Sequence, residues 1–101
     1  MRILFTISLP VEAANNAARN GFSAVQSILE EQKPEAVYFG TKDGKRTAFL
    51  IMQMEREADI PRILEPWFLS MNASVDVMPV MNAEDLASAG PSIRAAVEKY
   101  G

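Results

Sequence analysis

The side chains that could do chemistry in this chain are limited, because cysteine and histidine are both absent. Without cysteine there is no thiolate nucleophile, no disulfide and no thiolate-ligated zinc or iron–sulfur cluster. Without histidine the chain lacks the commonest general base near neutral pH and the commonest transition-metal ligand. We therefore expect no metal centre and no cofactor, and any catalysis would rely on carboxylate, hydroxyl, lysine or arginine groups.

Asp76 is the one catalytic candidate. It alternates with Val75 and Val77, so it would share a strand face with Met78 and could project into a cavity between two sheets. A carboxylate that is removed from water in such a cavity becomes a stronger base. The alternative interpretation is an edge-strand carboxylate that meets solvent and discourages edge-to-edge pairing.

Further polar and aromatic side chains could line the same cavity. Convergent polar groups in an apolar pocket are typical of ligand sites, and Trp67 could act as an aromatic lid. Equally, Tyr38 could bury its ring in a subunit interface with its hydroxyl in water, and Trp67 could simply fill the core. The candidate ligand-binding residues are Thr6, Ser8, Tyr38, Gln53, Trp67 and Asp76.

Composition limits the possible partners. The 101 residues, 49% hydrophobic and 23% charged, predict a single domain spanning residues 1–101. A net charge of -3 argues against a nucleic-acid partner, and scattered lysines and arginines argue against a membrane surface. The first apolar stretch ends at Pro10, too early for a secretory signal, so we expect a cytoplasmic protein.

The first half of the chain predicts strand, helix and hairpin. Ile3–Leu9 is a strand with one wholly apolar side, and a helix opens at Pro10 and ends near Lys33. Two more strands, Ala36–Gly40 and Thr47–Met54, flank a turn. Its Asp-Gly pair at residues 43–44 supplies the positive φ angles of a tight antiparallel hairpin.

The second half predicts a helix, a strand and a helical C-terminus. Asp59 is placed to cap a helix that presents Trp67 inward, with a kink or a late start at Pro66. Residues 74–80 alternate as a fourth strand, with Pro79 suited to a sheet edge. Asn82 then caps a short helix over residues 83–89, and a final helix follows a Gly-Pro break at 90–91.

The order β-α-β-β-α-β predicts an α+β, ferredoxin-like sandwich. In such a fold the helices cover one face of a four-stranded antiparallel sheet, and here a C-terminal helix is added. The opposite face is also apolar, since Leu4, Tyr38, and either Leu50 with Met52 or Phe49 with Ile51 must point towards it. An uncovered apolar face marks an interaction surface, so we expect a homodimer. The alternative is that the segment after Gly90 covers this face in the same chain.

The element order, followed by Val77-Met78-Pro79-Val80-Met81-Asn82-Ala83-Glu84-Asp85, resembles small stand-alone proteins of the dimeric α+β barrel superfamily. That resemblance implies a homodimer in which two sheets pack into a barrel. The superfamily includes cofactor-free monooxygenases, muconolactone-isomerase-like enzymes, haem degraders and ligand-binding modules. Several of those enzymes use a histidine that this chain lacks, so the resemblance transfers no activity.

Two functions follow as hypotheses. The first is a homodimeric module that binds a small apolar or aromatic molecule, or a partner protein. The second is a cofactor-independent isomerase or monooxygenase acting on a small cyclic or aromatic substrate, with Asp76 as base and Tyr38 as polarising donor. An enclosed pocket around Asp76 beside Tyr38 would favour chemistry, and an Asp76 in open solvent would favour binding or scaffolding.

Overall fold

A four-stranded antiparallel sheet organises the chain. The computed structural model describes all 101 residues, and the fold is α+β as expected. The strands are β1 (Arg2–Ser8), β2 (Ala36–Lys42), β3 (Lys45–Gln53) and β4 (Ser74–Pro79), arranged in the order β2-β3-β1-β4. Because β4 lies at an edge, Pro79 removes no hydrogen bond from the interior of the sheet, as predicted.

The hairpin between β2 and β3 is tighter than its predicted strands suggested. The ladder continues to the pair Lys42–Lys45, which leaves only Asp43 and Gly44 in the turn. Their φ angles of 53° and 75° are both positive, the requirement of the two-residue turn that matches strand twist. The prediction of an antiparallel hairpin is confirmed, with both strands extended into the polar segment.

The helical segment predicted from Pro10 to Lys33 is two helices and not one. Helix α1 (Val11–Arg19) ends before Gly21, and helix α2 (Ser23–Gln32) begins after Phe22. Gly21 and Phe22 have φ angles of 65° and 56°, a left-handed pair that no continuous helix can contain. The Asn-Gly pair at residues 20–21 is a turn signal, and the prediction of one continuous helix from Pro10 overlooked it.

Helix α3 (Asp59–Met71) runs through Pro66 as one element, so the predicted late start is wrong. Pro66 has no N–H, so the helical hydrogen bond to the carbonyl of Arg62 is missing. Arg62 lies on the exposed side of the helix. Asp59 does not cap its own helix. Its carboxylate accepts from the backbone N–H groups of Glu55 and Arg56, both at 3.4 Å, and so fixes the turn that leads into α3.

The hydrophobic core lies on one side of the sheet only. Alternate residues of β1 and β3 point into it, and α1, α2 and α3 cover it with side chains such as Ala14, Ile28 and Trp67. The largest fully buried side chains are Trp67, Phe5, Ile3, Ile7, Leu50 and Ile63. No helix in the chain has both the length and the apolar character needed to cross a bilayer.

The C-terminal helices form an arm that leaves the body. Helices α4 (Ala83–Ser88) and α5 (Gly90–Tyr100) contain no buried residue. The molecule is 56 Å long but only 28 Å and 20 Å across, and its radius of gyration of 16.9 Å exceeds the roughly 13 Å typical of a compact domain this size. The alternative in which the C-terminal segment covers the second sheet face in the same chain is therefore wrong.

Candidate functional site

The second face of the sheet, called here the open face, has no cover within the chain. Of the two registers left possible by the sequence, the structure has Phe49 and Ile51 on this face, because Leu50 and Met52 are buried in the core. Tyr38 is 67% exposed and Met78 is 52% exposed. The open face consists of Leu4, Thr6, Ser8, Ala36, Tyr38, Phe49, Ile51, Asp76 and Met78, with Thr47 at its hairpin end and Gln53 at its other end.

One row of this face contains three of the predicted site residues. The strand registers align Tyr38 with Phe49, Phe49 with Thr6, and Thr6 with Asp76. Tyr38 is on one edge strand and Asp76 is on the other, three strand spacings or about 14 Å apart along the sheet. The sheet curls across this span, because the Nζ of Lys42 on β2 comes within 3.9 Å of the Asp76 carboxylate on β4.

Asp76 is in open solvent in the isolated chain. Its side chain is 85% exposed, and its nearest charged partner is the Nζ of Lys42 at 3.9 Å. Nothing in the protomer excludes water from this carboxylate. From the sequence, an Asp76 in open solvent was expected to favour binding or scaffolding over catalysis. In one protomer Asp76 lies in open solvent, so its position favours binding or scaffolding.

Ser8 and Thr47 form a hydroxyl pair at the hairpin end of the open face. The Thr47 hydroxyl donates to the carbonyl of Lys45 at 3.0 Å, and the Ser8 hydroxyl lies 3.5 Å from the Thr47 oxygen. Since the Thr47 proton is already engaged, Ser8 must be the donor of that long bond. Thr47 is only 3% exposed, so this pair stabilises the sheet end and leaves few groups for a ligand.

Gln53 belongs to a charged cluster at the opposite end of the same face. Arg2 binds Glu35 with its Nε and a terminal nitrogen, at 2.9 Å and 3.0 Å, and reaches the Asp85 carboxylate at 3.2 Å. Gln53 donates to Glu35 at 3.0 Å. The hydrogen bond from Arg2, and then that from Gln53, hold the pKa of Glu35 below its ordinary value of 4.5. This cluster ties the base of the arm to β1 and the start of β2.

Trp67 is separated from the other predicted site residues by the sheet itself. It is 1% exposed on the helix side, and its indole N–H donates to the Gln32 side chain at 3.3 Å. The structure therefore brings Thr6, Ser8, Tyr38 and Asp76 onto one face, places Gln53 at its end, and leaves Trp67 in the core. Trp67 fills the core in this chain and does not cover the open face.

A groove on the helix side was not foreseen from the sequence. It has a volume of about 560 Å³ and lies between α2 and the hairpin strands, with Trp67 in its lining. Phe39 forms part of its wall and is 63% exposed. In the sequence, only Phe39 indicated this groove. It follows Tyr38 in β2 and therefore points to the helix side of the sheet, where its ring lies beyond the cover of the helices. The apolar groove is lined by Leu9, Phe22, Val25, Leu29, Phe39 and Trp67.

No group of three or more acidic side chains lies close enough together to hold a metal ion. The chain therefore offers two apolar surfaces, the open face and the apolar groove. Comparison with models of protein families gives no match. Among curated proteins none matches the chain significantly.

Proposed function

We propose that the protein is a homodimeric, ferredoxin-like module in which two open faces pack together as a dimeric α+β barrel. The observation that carries this proposal is the open face, where Leu4, Phe49 and Ile51 form a half-buried apolar centre flanked by the exposed Tyr38 and Met78, with no helix packed over it. Soluble monomers rarely expose a continuous apolar surface of this kind. A second copy offers the same apolar surface with the same polar row.

The polar row gives the dimer a place to bind a small molecule. A two-fold axis parallel to the strands would put β4 of one protomer opposite β2 of the other. Asp76 would then face Tyr38 of the second copy, with Thr6 between them on each side. Apolar walls with a few converging polar groups suit a small apolar or aromatic molecule that carries one hydrogen-bonding group.

The isomerase or monooxygenase alternative depends on the same dimer. Within one protomer the Asp76 carboxylate and the Tyr38 ring are both exposed to water, so nothing encloses a substrate between them. We therefore propose binding, and keep catalysis for the case in which Asp76 is enclosed by the second copy.

The experiment for this proposal combines molar mass with ligand screening. Sedimentation equilibrium at micromolar concentration should give twice the chain mass. A thermal-shift screen against aromatic acids, quinones and lipid-like molecules should then raise the melting temperature for at least one class. A dimer that no ligand stabilises would leave an assembly unit and remove the small-molecule function.

A further inference from the structure

The apolar groove exists because the helices cover only part of the sheet. Helices α1, α2 and α3 pack over the core side chains of β1 and β3, whereas β2 is an edge strand whose last five residues are all exposed. A gap of about 560 Å³ therefore remains between Phe39 of β2 and the side chains of Phe22 and Leu29 on α2. Pockets that bind small molecules have volumes of about 300–1,000 Å³, so the groove has the size of a ligand site.

The groove has an apolar floor and aromatic walls. Three of its lining side chains carry aromatic rings, namely Phe22, Phe39 and Trp67. An aromatic ligand can pack against such rings in offset or edge-to-face contacts, which add to the gain from burying apolar area. The floor consists of side chains that are at most 7% exposed, namely Leu9, Val25, Ala48 and Trp67.

Arg46 is the only charged side chain in the lining of the groove. It precedes Ala48 by two residues in β3, so both lie on the helix side of the sheet. Its Nη1 donates to the Oδ1 of Asn15 on α1 at 2.8 Å, and Arg46 belongs to none of the ion pairs of the chain. A guanidinium has five N–H donors, so one bond to a neutral amide leaves the others, and the charge, without an anion.

This arrangement favours one chemical class of ligand. The planar fork of an arginine binds a carboxylate through two parallel, charge-assisted hydrogen bonds. Gln26 and Thr41, also in the lining, add neutral hydrogen-bonding groups beside the apolar walls. A cationic ligand would be repelled by Arg46, and a wholly apolar ligand would leave its charge unused. A molecule with an aromatic ring and a carboxylate matches both the walls and the charge.

We propose that the apolar groove of each protomer binds a small aromatic carboxylate, with its ring against Phe39 and its carboxylate on Arg46. This site goes beyond the proposed homodimer and does not depend on it. The groove lies on the helix side of the sheet and the polar row lies on the open face, so the groove is accessible whether or not two open faces pack together.

Trp67 makes the test specific to this site, because it is the only tryptophan of the chain and lines the groove. Its indole N–H gives one separate resonance in a nitrogen-correlated proton NMR spectrum. Titration with naphthoate should shift this resonance and the amides of Val25 and Leu29 until the site is saturated. Naphthamide, which has the same rings and no charge, should bind about tenfold more weakly because it forms no charge-assisted pair.

Removing the guanidinium tests the role of the charge. Arg46→Gln should weaken the binding of naphthoate about tenfold and leave that of naphthamide unchanged. The matched control is Arg19→Gln, because Arg19 is also exposed and donates its Nη1 to an asparagine Oδ1, that of Asn16, at 2.8 Å, but lies outside the groove. This control should bind both probes as the wild type does. An unchanged indole resonance in the free variants shows that both are folded.

The proposal is overturned if naphthoate leaves the indole resonance of Trp67 unmoved, because the ligand then does not enter the groove. It is also overturned if Arg46→Gln weakens naphthoate no more than Arg19→Gln does. An indole resonance that moves on dilution of the free protein would show that a second copy fills the groove, with the same consequence. Since none of these readouts depends on the open face, their failure leaves the homodimer standing, and a monomer that binds naphthoate through Arg46 leaves this inference standing.

Discussion

Tyr38 and Asp76 occupy the two edge strands of one sheet row, with Phe49 and Thr6 between them. This arrangement puts the two groups that the sequence suggested might act together on different edge strands, where both are exposed to water. It also places them at opposite margins of an apolar face, where a two-fold axis along the strands would bring one over the other. In the homodimer that we propose, each protomer would complete the polar row of the other.

Charge introduced at the centre of the open face should prevent association. Phe49→Lys places an ammonium group where two sheets would meet, and burying an unpaired charge costs several kcal/mol. We expect the variant to sediment as a folded monomer, with the buried Trp67 still reporting native fluorescence. The control is Ser27→Lys on the exposed surface of α2, which should leave the mass unchanged. A Phe49→Lys variant with the wild-type mass would contradict the face-to-face arrangement.

The base of the arm should loosen when Asp85 is removed. Its carboxylate accepts from the backbone N–H of Asn82, while its own N–H donates to the Asn82 side chain at 2.8 Å. Asp85→Ala removes the bond to the Asn82 N–H but leaves the Asn82 cap, so the cost should stay below the about 1 kcal/mol of a lost N-cap residue, and the exposed pair with Arg2 adds little. Asp85→Ala should therefore speed amide exchange in residues 85–88 several-fold, whereas Glu84→Ala should not. Equal rates in the two variants would show that the cap does not hold α4.

Stability should fall as the pH drops from about 5 to 3. Two carboxyl groups have a pKa below the ordinary value. Arg2 and Gln53 lower that of Glu35, while for Asp59 burial raises the pKa but the backbone bonds from Arg56 and Glu55 outweigh it. Because the folded state binds these protons less readily than the unfolded state, both groups stabilise the fold above their unfolded pKa values, and that contribution is lost in acid.

A single substitution isolates the Glu35 part of this pH dependence. Glu35→Gln removes the titrating group, so urea unfolding should show a shallower loss of stability between pH 5 and pH 3 than in the wild type. Glu31→Gln, an exposed α2 acid with no ion pair in the structure, is the control and should retain the wild-type slope. Indistinguishable slopes for Glu35→Gln and wild type would refute the role of the Arg2 cluster.

The residue that follows α2 offers a stabilising change. Lys33 has a φ angle of 48°, in the left-handed region that costs a side-chain-bearing residue about 1 kcal/mol or more. Glycine adopts this conformation freely but loses more entropy on folding, so Lys33→Gly should stabilise the protein by about 0.5 kcal/mol. The midpoint of urea unfolding measures this directly. Lys33→Ala keeps the strain and should give no gain, and a lower midpoint for Lys33→Gly would contradict the account.

Much of the fold could be predicted because local patterns determine it. The alternation of apolar residues in β1 and the Asp43-Gly44 pair specify the central strand and the hairpin with no knowledge of the rest of the chain. The break at Gly21 and Phe22 was concealed because apolar spacing on both sides suits one continuous helix. At Pro66 the sequence predicted a kink or a late start, whereas α3 begins at Asp59 and runs through the proline. The exposed carbonyl of Arg62 tolerates the loss of its N–H donor.

The candidate site could be predicted only in part. Strand periodicity correctly grouped Thr6, Ser8, Tyr38 and Asp76 on one face, because alternation within each strand fixes the side. It could not give the distance from Tyr38 to Asp76, which depends on strand order. Nor could it show that Trp67 lies across the sheet from them, or that the arm leaves the body, because both depend on contacts between distant segments.

The most direct test of the account is the molar mass of the wild-type protein, measured by sedimentation equilibrium from nanomolar to micromolar concentration. The account predicts twice the mass of the 11.1 kDa chain at micromolar concentration, with dissociation only on strong dilution. A single species of one chain mass at every concentration would contradict it, because the open face would then remain uncovered in a stable protein.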